Sequence, residues 1–350
     1  MTPTPEPIVP TRTAVPTTTP LVELPVPPAP TADKATAAPG VKLEAPPTLA
    51  GRVGVAGAID HVEPPRRLGL SFGHVTTWRL SPDPPALPDL TVWQTVRLGS
   101  ADEGADWPAD RDAIEATIRA RPGSYWLIGN EPDVAWQDNV TPEEYAELYH
   151  TVYTFIRERD PSARIAAGGI ALPTPLRLAY LDRVLAAYQA QYGEPLPADL
   201  WSVHLFTLRE EAGSWGIGIP PGMSETTGEL YEIADHGDID ILKAHVVRFR
   251  QWMAANGYGD RPLAVTEFGI LLPEDYGFPP EFVQQYLRDS FTYLLTATGE
   301  EGLAADGGRL VQVAFWYSIY DDGDYPTGNL YDAPTDRLTP LGEAFVQFVD

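Results

Sequence analysis

Two hydrophobic spacings alternate along most of this chain, and each change of spacing marks a change of element. Short β-branched or apolar runs bounded by turn residues predict strands over 68–72, 95–98, 125–128, 164–167, 200–206, 263–266 and 310–316. Between them, apolar residues recurring every three or four positions predict helices over 110–120, 142–159, 176–192, 239–256, 280–296 and 341–348. Thr141 stands as N-cap ahead of Pro142 at a first helical position, and Gly257 is a stop signal after the 239–256 helix. Repeated strand–helix alternation implies a parallel sheet. About 290 residues and close to eight such units fit a (β/α)8 TIM barrel better than an open sheet. The stretch 70–110 is too short for its share of the pattern, so the barrel's first quarter is expected to be shortened or irregular.

Residues 1–52 do not share this pattern. The first 50 residues hold 13 of the 37 prolines, in runs such as Val26-Pro27-Pro28-Ala29-Pro30. Such a segment cannot form a core and is expected to be disordered and polyproline-like. The expected division is therefore a Pro/Thr-rich tether over 1–52 and a (β/α)8 domain, the part that would carry any chemistry, over 53–350. A stalk of this kind suits an extracellular or surface-tethered enzyme. Met1 nevertheless leads straight into Thr-Pro-Thr-Pro, without the basic and then apolar stretch of a secretion signal.

Composition narrows the function classes. A formal net charge of −25 argues against nucleic acid, which proteins bind by neutralising phosphates. A neutral, hydroxyl-rich ligand is not repelled by such a surface. There are no cysteines, so disulfides, thiolate metal sites and cysteine nucleophiles are excluded within this sequence. No apolar run is long enough to span a membrane. The six histidines show no paired metal-ligand spacing. The segment 51–57 lacks the Lys-Ser/Thr of a phosphate loop, and no Gly-x-Ser-x-Gly elbow occurs. The acidic loop 321–324 lacks the spaced ligands of a calcium loop. No metal and no organic cofactor are expected, and the chain is expected to be a monomer.

Two strings carry the candidate chemistry: Ile128-Gly129-Asn130-Glu131-Pro132-Asp133 and Val265-Thr266-Glu267-Phe268-Gly269. Each sets a glutamate at the end of an apolar run, just before the chain turns. An unpaired charge is costly to bury, so both carboxylates are expected at the mouth of the barrel rather than in its core. Two facing carboxylates can supply the acid and the nucleophile for cleaving a glycosidic bond.

Asn-Glu-Pro after one strand, with a glutamate ending a strand three units later, resembles the clan A, or "4/7", retaining glycoside hydrolases. The resemblance spans residues 65 to 350. It implies a (β/α)8 barrel with Glu131 as acid/base and Glu267 as nucleophile, acting on a carbohydrate substrate without a cofactor. Glu131 would need a weakened acidity, from neighbouring negative charge or partial burial. The resemblance further implies that Asn130 bonds the sugar 2-hydroxyl and that His204 lies in the site. Arg97 resembles the arginine that keeps the nucleophile ionised, although a pair with another acid such as Asp102 fits it almost as well. Trp316 would lie under the sugar in the cleavage subsite. Tyr317 and Trp136, with Tyr320, Trp215 and Trp78, are candidate subsite walls. Asp133 reads better as a cap or salt-bridge partner than as a catalytic group.

One departure stands out. Position 206, two places after His204, is Phe206 where clan members carry a tyrosine that bonds the nucleophile, so another residue must orient Glu267. The expected activity is double-displacement hydrolysis of O-glycosidic, β-type bonds in a poly- or oligosaccharide. A transglycosylase on the same site, and a non-catalytic carbohydrate-binding surface protein on a worn barrel, are the alternatives.

Overall fold

The computed structural model describes residues 49–81, 89–99, 106–323 and 325–349. Strands β1 (Val53–Ala56), β2 (His74–Thr76), β3 (Thr91–Val96), β4 (Tyr125–Ile128), β5 (Arg164–Ile170), β6 (Leu200–His204), β7 (Leu263–Phe268) and β9 (Val313–Tyr317) pair in that order, all parallel. β9 pairs back onto β1 and closes the barrel. β8 (Thr298–Leu303) lies outside it. Helices α2 (Arg111–Ala120), α3 (Pro142–Arg159), α4 (Pro175–Tyr192), α5 (Ile239–Ala255), α6 (Pro280–Thr296) and α7 (Pro340–Val349) follow the later strands. This is the (β/α)8 barrel that the alternation predicts.

Successive side chains on a strand point to opposite faces, and the two faces build two apolar layers. Trp93, Tyr125, Leu127, Ala166, Leu200, Ala264, Val313 and Phe315 form one cluster, filling the barrel, with Trp93 stacked on Tyr125 at 4.3 Å between ring centroids. Their sequence neighbours, such as Trp126, Trp201, Val265, Ala314 and Trp316, belong to the larger cluster shared with the helices. Local chemistry sets the helix ends. At α3, Thr141 Oγ1 accepts from the Glu144 backbone N–H while Glu144 Oε2 accepts from that of Thr141, and Pro142 follows at the first position.

The first quarter is irregular, as its length predicts. α1 (Glu63–Arg67) has five residues, β2 has three, and no helix separates β2 from β3 among the described residues. The expected strand over 68–72 is not formed; the first strand is β1, inside the glycine-bearing segment 51–57, for which no strand was expected. The reason is packing. A Cβ on Gly54 would stand 2.3 Å from the Phe315 ring, so the barrel interior demands glycine where a strand would otherwise show an apolar side chain. Leu70 and Phe72 are buried without being in a strand.

Residues 1–48, nearly all of the expected tether, lie outside the described residues. Ala50–Arg52 form a short 3-10 turn, and Arg52 pairs with Asp306 at 2.8 Å. The described residues thus begin at Leu49, four positions before the boundary expected at 53. No described helix is long and apolar enough to cross a membrane.

Candidate active site

The C-terminal end of β4 runs directly into Asn130 and Glu131. Glu131 has a backbone φ of +44°, an uncommon left-handed conformation for a residue with a side chain. Its N–H donates to the carbonyl of Gly169 at 2.9 Å. That carbonyl is available because the β5–β6 register slips between Gly168 and Ile170, where Gly169 adopts φ +69°. Two buried acids hold the turn from behind. Asp138 accepts from the backbone N–H groups of Leu98 and Asn130 at 3.0 and 2.9 Å. Asp133 pairs with Arg177, which also binds Glu210 at 2.9 Å; all three side chains are fully buried. Asp133 is therefore a salt-bridge partner.

Glu267 reaches the same place by a second irregularity. Along β6 and β7, Val203 is level with Val265, but His204 is level with Glu267. Strict alternation would put Glu267 on the same face as Val265, toward the helices. The bulge skips Thr266 and turns Glu267 into the barrel mouth beside His204.

The resulting centre is compact. His204 Nδ1 lies 2.8 Å from Glu131 Oε1 and 3.7 Å from Glu267 Oε2. One ligand atom from each of the three residues lies within 4.8 Å of the others. The three are nearly buried, at 9%, 2% and 6% exposure for Glu131, His204 and Glu267. Burial opposes the charge on His204, but the Glu267 charge and the bond to Glu131 outweigh it and push the imidazole up to about 9. Burial likewise raises the Glu267 carboxyl above the ordinary range; His204 and the Trp78 indole pull it back, as does Arg97, while the Glu131 charge adds to the rise. By distance these three side chains could share a metal ion. In the arrangement described, the His204 Nδ1 contact to Glu131 has the geometry of a hydrogen bond.

Other expected site residues fall in different places. Arg97 is buried in the barrel and donates to Asp138 Oδ1 at 2.5 Å and to Gln137 Oε1 at 3.1 Å. Its charge still favours ionised Glu267, so it acts on that group through space while bonded to Asp138. Asp102, the acid suggested for it, lies outside the described residues. Asn130 donates from Nδ2 to Gln137 Oε1 at 3.3 Å, next to the centre. Tyr317 points into the mouth, with its ring 5.7 Å from Phe206 and 5.6 Å from Trp78, and its hydroxyl donates to Asp321 at 2.9 Å. Trp136 is exposed on the loop after β4, and Tyr320 packs edge-on against His61.

Trp316 is not at the mouth. It is fully buried in the helix-facing layer against Phe268, Tyr286 and Phe291, with its indole N–H on the Gly328 carbonyl at 2.8 Å. Phe315 faces the interior, so alternation turns Trp316 outward and Tyr317 inward.

Sequence reasoning missed three contributors. Trp78, read as a wall, donates from Nε1 to Glu267 Oε1 at 2.7 Å. Asp138 and the Arg177–Glu210 pair were not singled out at all. A buried arginine in an amphipathic helix is the one signal that could have pointed to a paired acid.

No family model matches the chain, and no curated protein matches it. Solved structures do. A GH128 (subgroup II) endo-β-1,3-glucanase from Pseudomonas viridiflava is 20% identical, with a TM-score of 0.55 over 85% of this chain and 97% of that one. A GH128 (subgroup III) curdlan-specific exo-β-1,3-glucanase from Blastomyces gilchristii, in complex with glucose, is 18% identical, with a TM-score of 0.54 over 85% and 97%. A GH128 (subgroup VII) oligosaccharide-binding protein from Trichoderma gamsii is 14% identical, with a TM-score of 0.54 over 85% and 93%. Likeness at these identities is likeness of fold: this chain shares the barrel of these glycoside-hydrolase structures.

Proposed function

We propose that the chain is a glycoside hydrolase that cleaves β-glycosidic bonds of a poly- or oligosaccharide with retention of configuration, β-1,3-glucan being the first substrate class to try. One observation carries the reading: carboxylate oxygens of Glu131 and Glu267, from opposite sides of the barrel, lie within 4.8 Å of one another at its mouth. A retaining site places its two carboxyl groups about 5–5.5 Å apart, whereas an inverting site needs about 6.5–9.5 Å for an intervening water. The likeness to two structures described as β-1,3-glucanases supports the substrate class.

The chemistry follows from the placement. Glu131 gives its proton to the leaving glycosidic oxygen while Glu267 attacks the anomeric carbon. Glu131 then takes a proton from water as that water displaces Glu267. His204 Nδ1 lies 2.8 Å from Glu131 and 3.7 Å from Glu267, where its charge favours the ionised nucleophile, and Tyr317 supplies an aromatic face. The reading includes an enzyme that acts as a monomer outside the cell or at its surface, carried by the Pro/Thr-rich segment 1–52.

Release of reducing ends from laminarin and curdlan, beside xylan, mannan and galactan controls, tests the activity. Glu131→Ala and Glu267→Ala should each abolish turnover in a folded protein. Azide should partly restore Glu267→Ala and yield a product of inverted configuration. Full activity in either variant removes the assignment. The likeness to an oligosaccharide-binding protein of the same fold favours a second reading, a glycan binder. Saturable laminarin binding by a wild-type protein that releases no reducing ends would establish it.

A further inference from the structure

We propose that Trp78 is the positioning residue for Glu267, and that it commits one carboxylate oxygen, Oε1, so that the other, Oε2, forms the bond to the sugar. The inference rests on the hydrolase reading and deepens it. Position 206 offers no hydroxyl to the carboxylate, since it is Phe206. The donor comes instead from across the barrel, 189 residues away: Trp78 Nε1–H to Glu267 Oε1 at 2.7 Å. Trp78 follows β2 by two residues, in the irregular first quarter. Its ring is held against Tyr317 at 5.6 Å between centroids. Oε2 faces His204 Nδ1 at 3.7 Å, beyond ordinary hydrogen-bond reach. His204 thus supplies charge and Trp78 supplies direction.

A neutral donor on the nucleophile has a step-specific consequence. In the first step Oε2 bonds to the anomeric carbon, the bond to the glycosidic oxygen breaks, and that oxygen takes the Glu131 proton. Charge leaves Glu267, so the indole bond weakens as the step proceeds. In the second step water oxygen bonds to the anomeric carbon and its proton passes to Glu131. The C–Oε2 bond then breaks with its electron pair returning to Glu267, and the indole bond strengthens as charge returns. A contact that strengthens on the way to the transition state accelerates that step. Trp78 therefore acts mainly on release of the glycosyl-enzyme.

The test compares full-length wild type with Trp78→Phe on an aryl β-glucoside or laminari-oligosaccharide aryl glycoside, for which formation of the glycosyl-enzyme is fast. A hydrogen bond to a charged group sets the scale, and kcat should fall about 10- to 100-fold. KM should fall with it, so that kcat/KM changes much less, and intact-mass spectra should show accumulated glycosyl-enzyme. The acid limb of kcat/KM should move to higher pH, because the lost donor favoured ionised Glu267. If Trp78→Phe does not fold, benzothienylalanine at position 78 replaces the N–H by sulfur at nearly constant shape and serves for the same measurements. Unchanged kcat, or equal falls in kcat and kcat/KM with an unmoved acid limb, would overturn the proposal. The hydrolase reading fails on different results: no turnover by the wild type, or full turnover by Glu267→Ala.

Discussion

Replacing His204 by glutamine should remove a pH-dependent part of the stability that the wild type carries. The imidazole rises from 6.5 to about 9 on folding, and the residue is 2% exposed. At 1.36 kcal/mol for each pH unit this is worth about 3 kcal/mol. The sign is fixed by the direction of the rise. Folded protein holds the proton where unfolded chain has released it, so the contribution is complete below pH 6.5. It declines as pH climbs through about 9, and no further change comes from this group above that. The charges that set it are those of Glu267, Glu131 and Asp133. Urea unfolding of wild type and His204→Gln, at half-unit steps from pH 6 to 10, measures it directly. The stability difference should shrink by about 3 kcal/mol across the window, because glutamine cannot titrate. Parallel stability curves for the two proteins would show that His204 is not an imidazolium at neutral pH, and the electrostatic account of the site would fall with it.

Arg177→Met leaves Asp133 and Glu210 buried without their shared cation; the expected loss is about 3–5 kcal/mol in urea unfolding, with lower kcat in the folded fraction because Asp133 anchors the Glu131 turn. A loss no larger than that of an exposed-surface substitution would contradict the network. Trp316→Ala should cost about 3–5 kcal/mol of stability while glycan affinity per folded molecule is kept. Tyr317→Ala should do the reverse, and isothermal titration with laminari-oligosaccharides beside thermal unfolding separates the two; weakened binding only in Trp316→Ala would restore the subsite role to that residue.

The sequence is most legible where local chemistry decides the structure. The boundaries of β4, α3 and α6 agree with the sequence pattern to the residue; at α3 and α6 a proline fixes the first turn, and at α3 a capping box joins it. It is least legible where a distant contact decides. Gly54 looks like loop punctuation until the Phe315 ring across the barrel explains it. The two glutamates could be found because motif and strand context travel together. Trp316 was misplaced for a different reason, since parity along β9 points Tyr317 inward and was readable in principle. Parity could not have placed Glu267, because the bulge at Thr266 cancels it. Nor could any local pattern link Trp78 to a carboxylate 189 residues away.

The barrel's irregularities and its candidate chemistry occupy the same end. Register slips occur between β5 and β6, between β6 and β7, and between β7 and β9, and each lies at the C-terminal part of its strands. The first frees the Gly169 carbonyl that holds Glu131, and the second turns Glu267 inward. Regular ladders would have satisfied more backbone groups and left Glu267 among the helices. The bulge carries a visible cost: Thr266 Oγ1 is buried without a hydrogen-bond partner among the described residues. At the opposite end the strands keep register and fill the interior with Trp93, Tyr125 and Phe315. Ordered packing there supplies the rigidity that lets two of these slips hold Glu131, His204 and Glu267 with a ligand atom of each within 4.8 Å of the others. Departure from strand pairing at the C-terminal rim is what brings Glu131, His204 and Glu267 together in one centre.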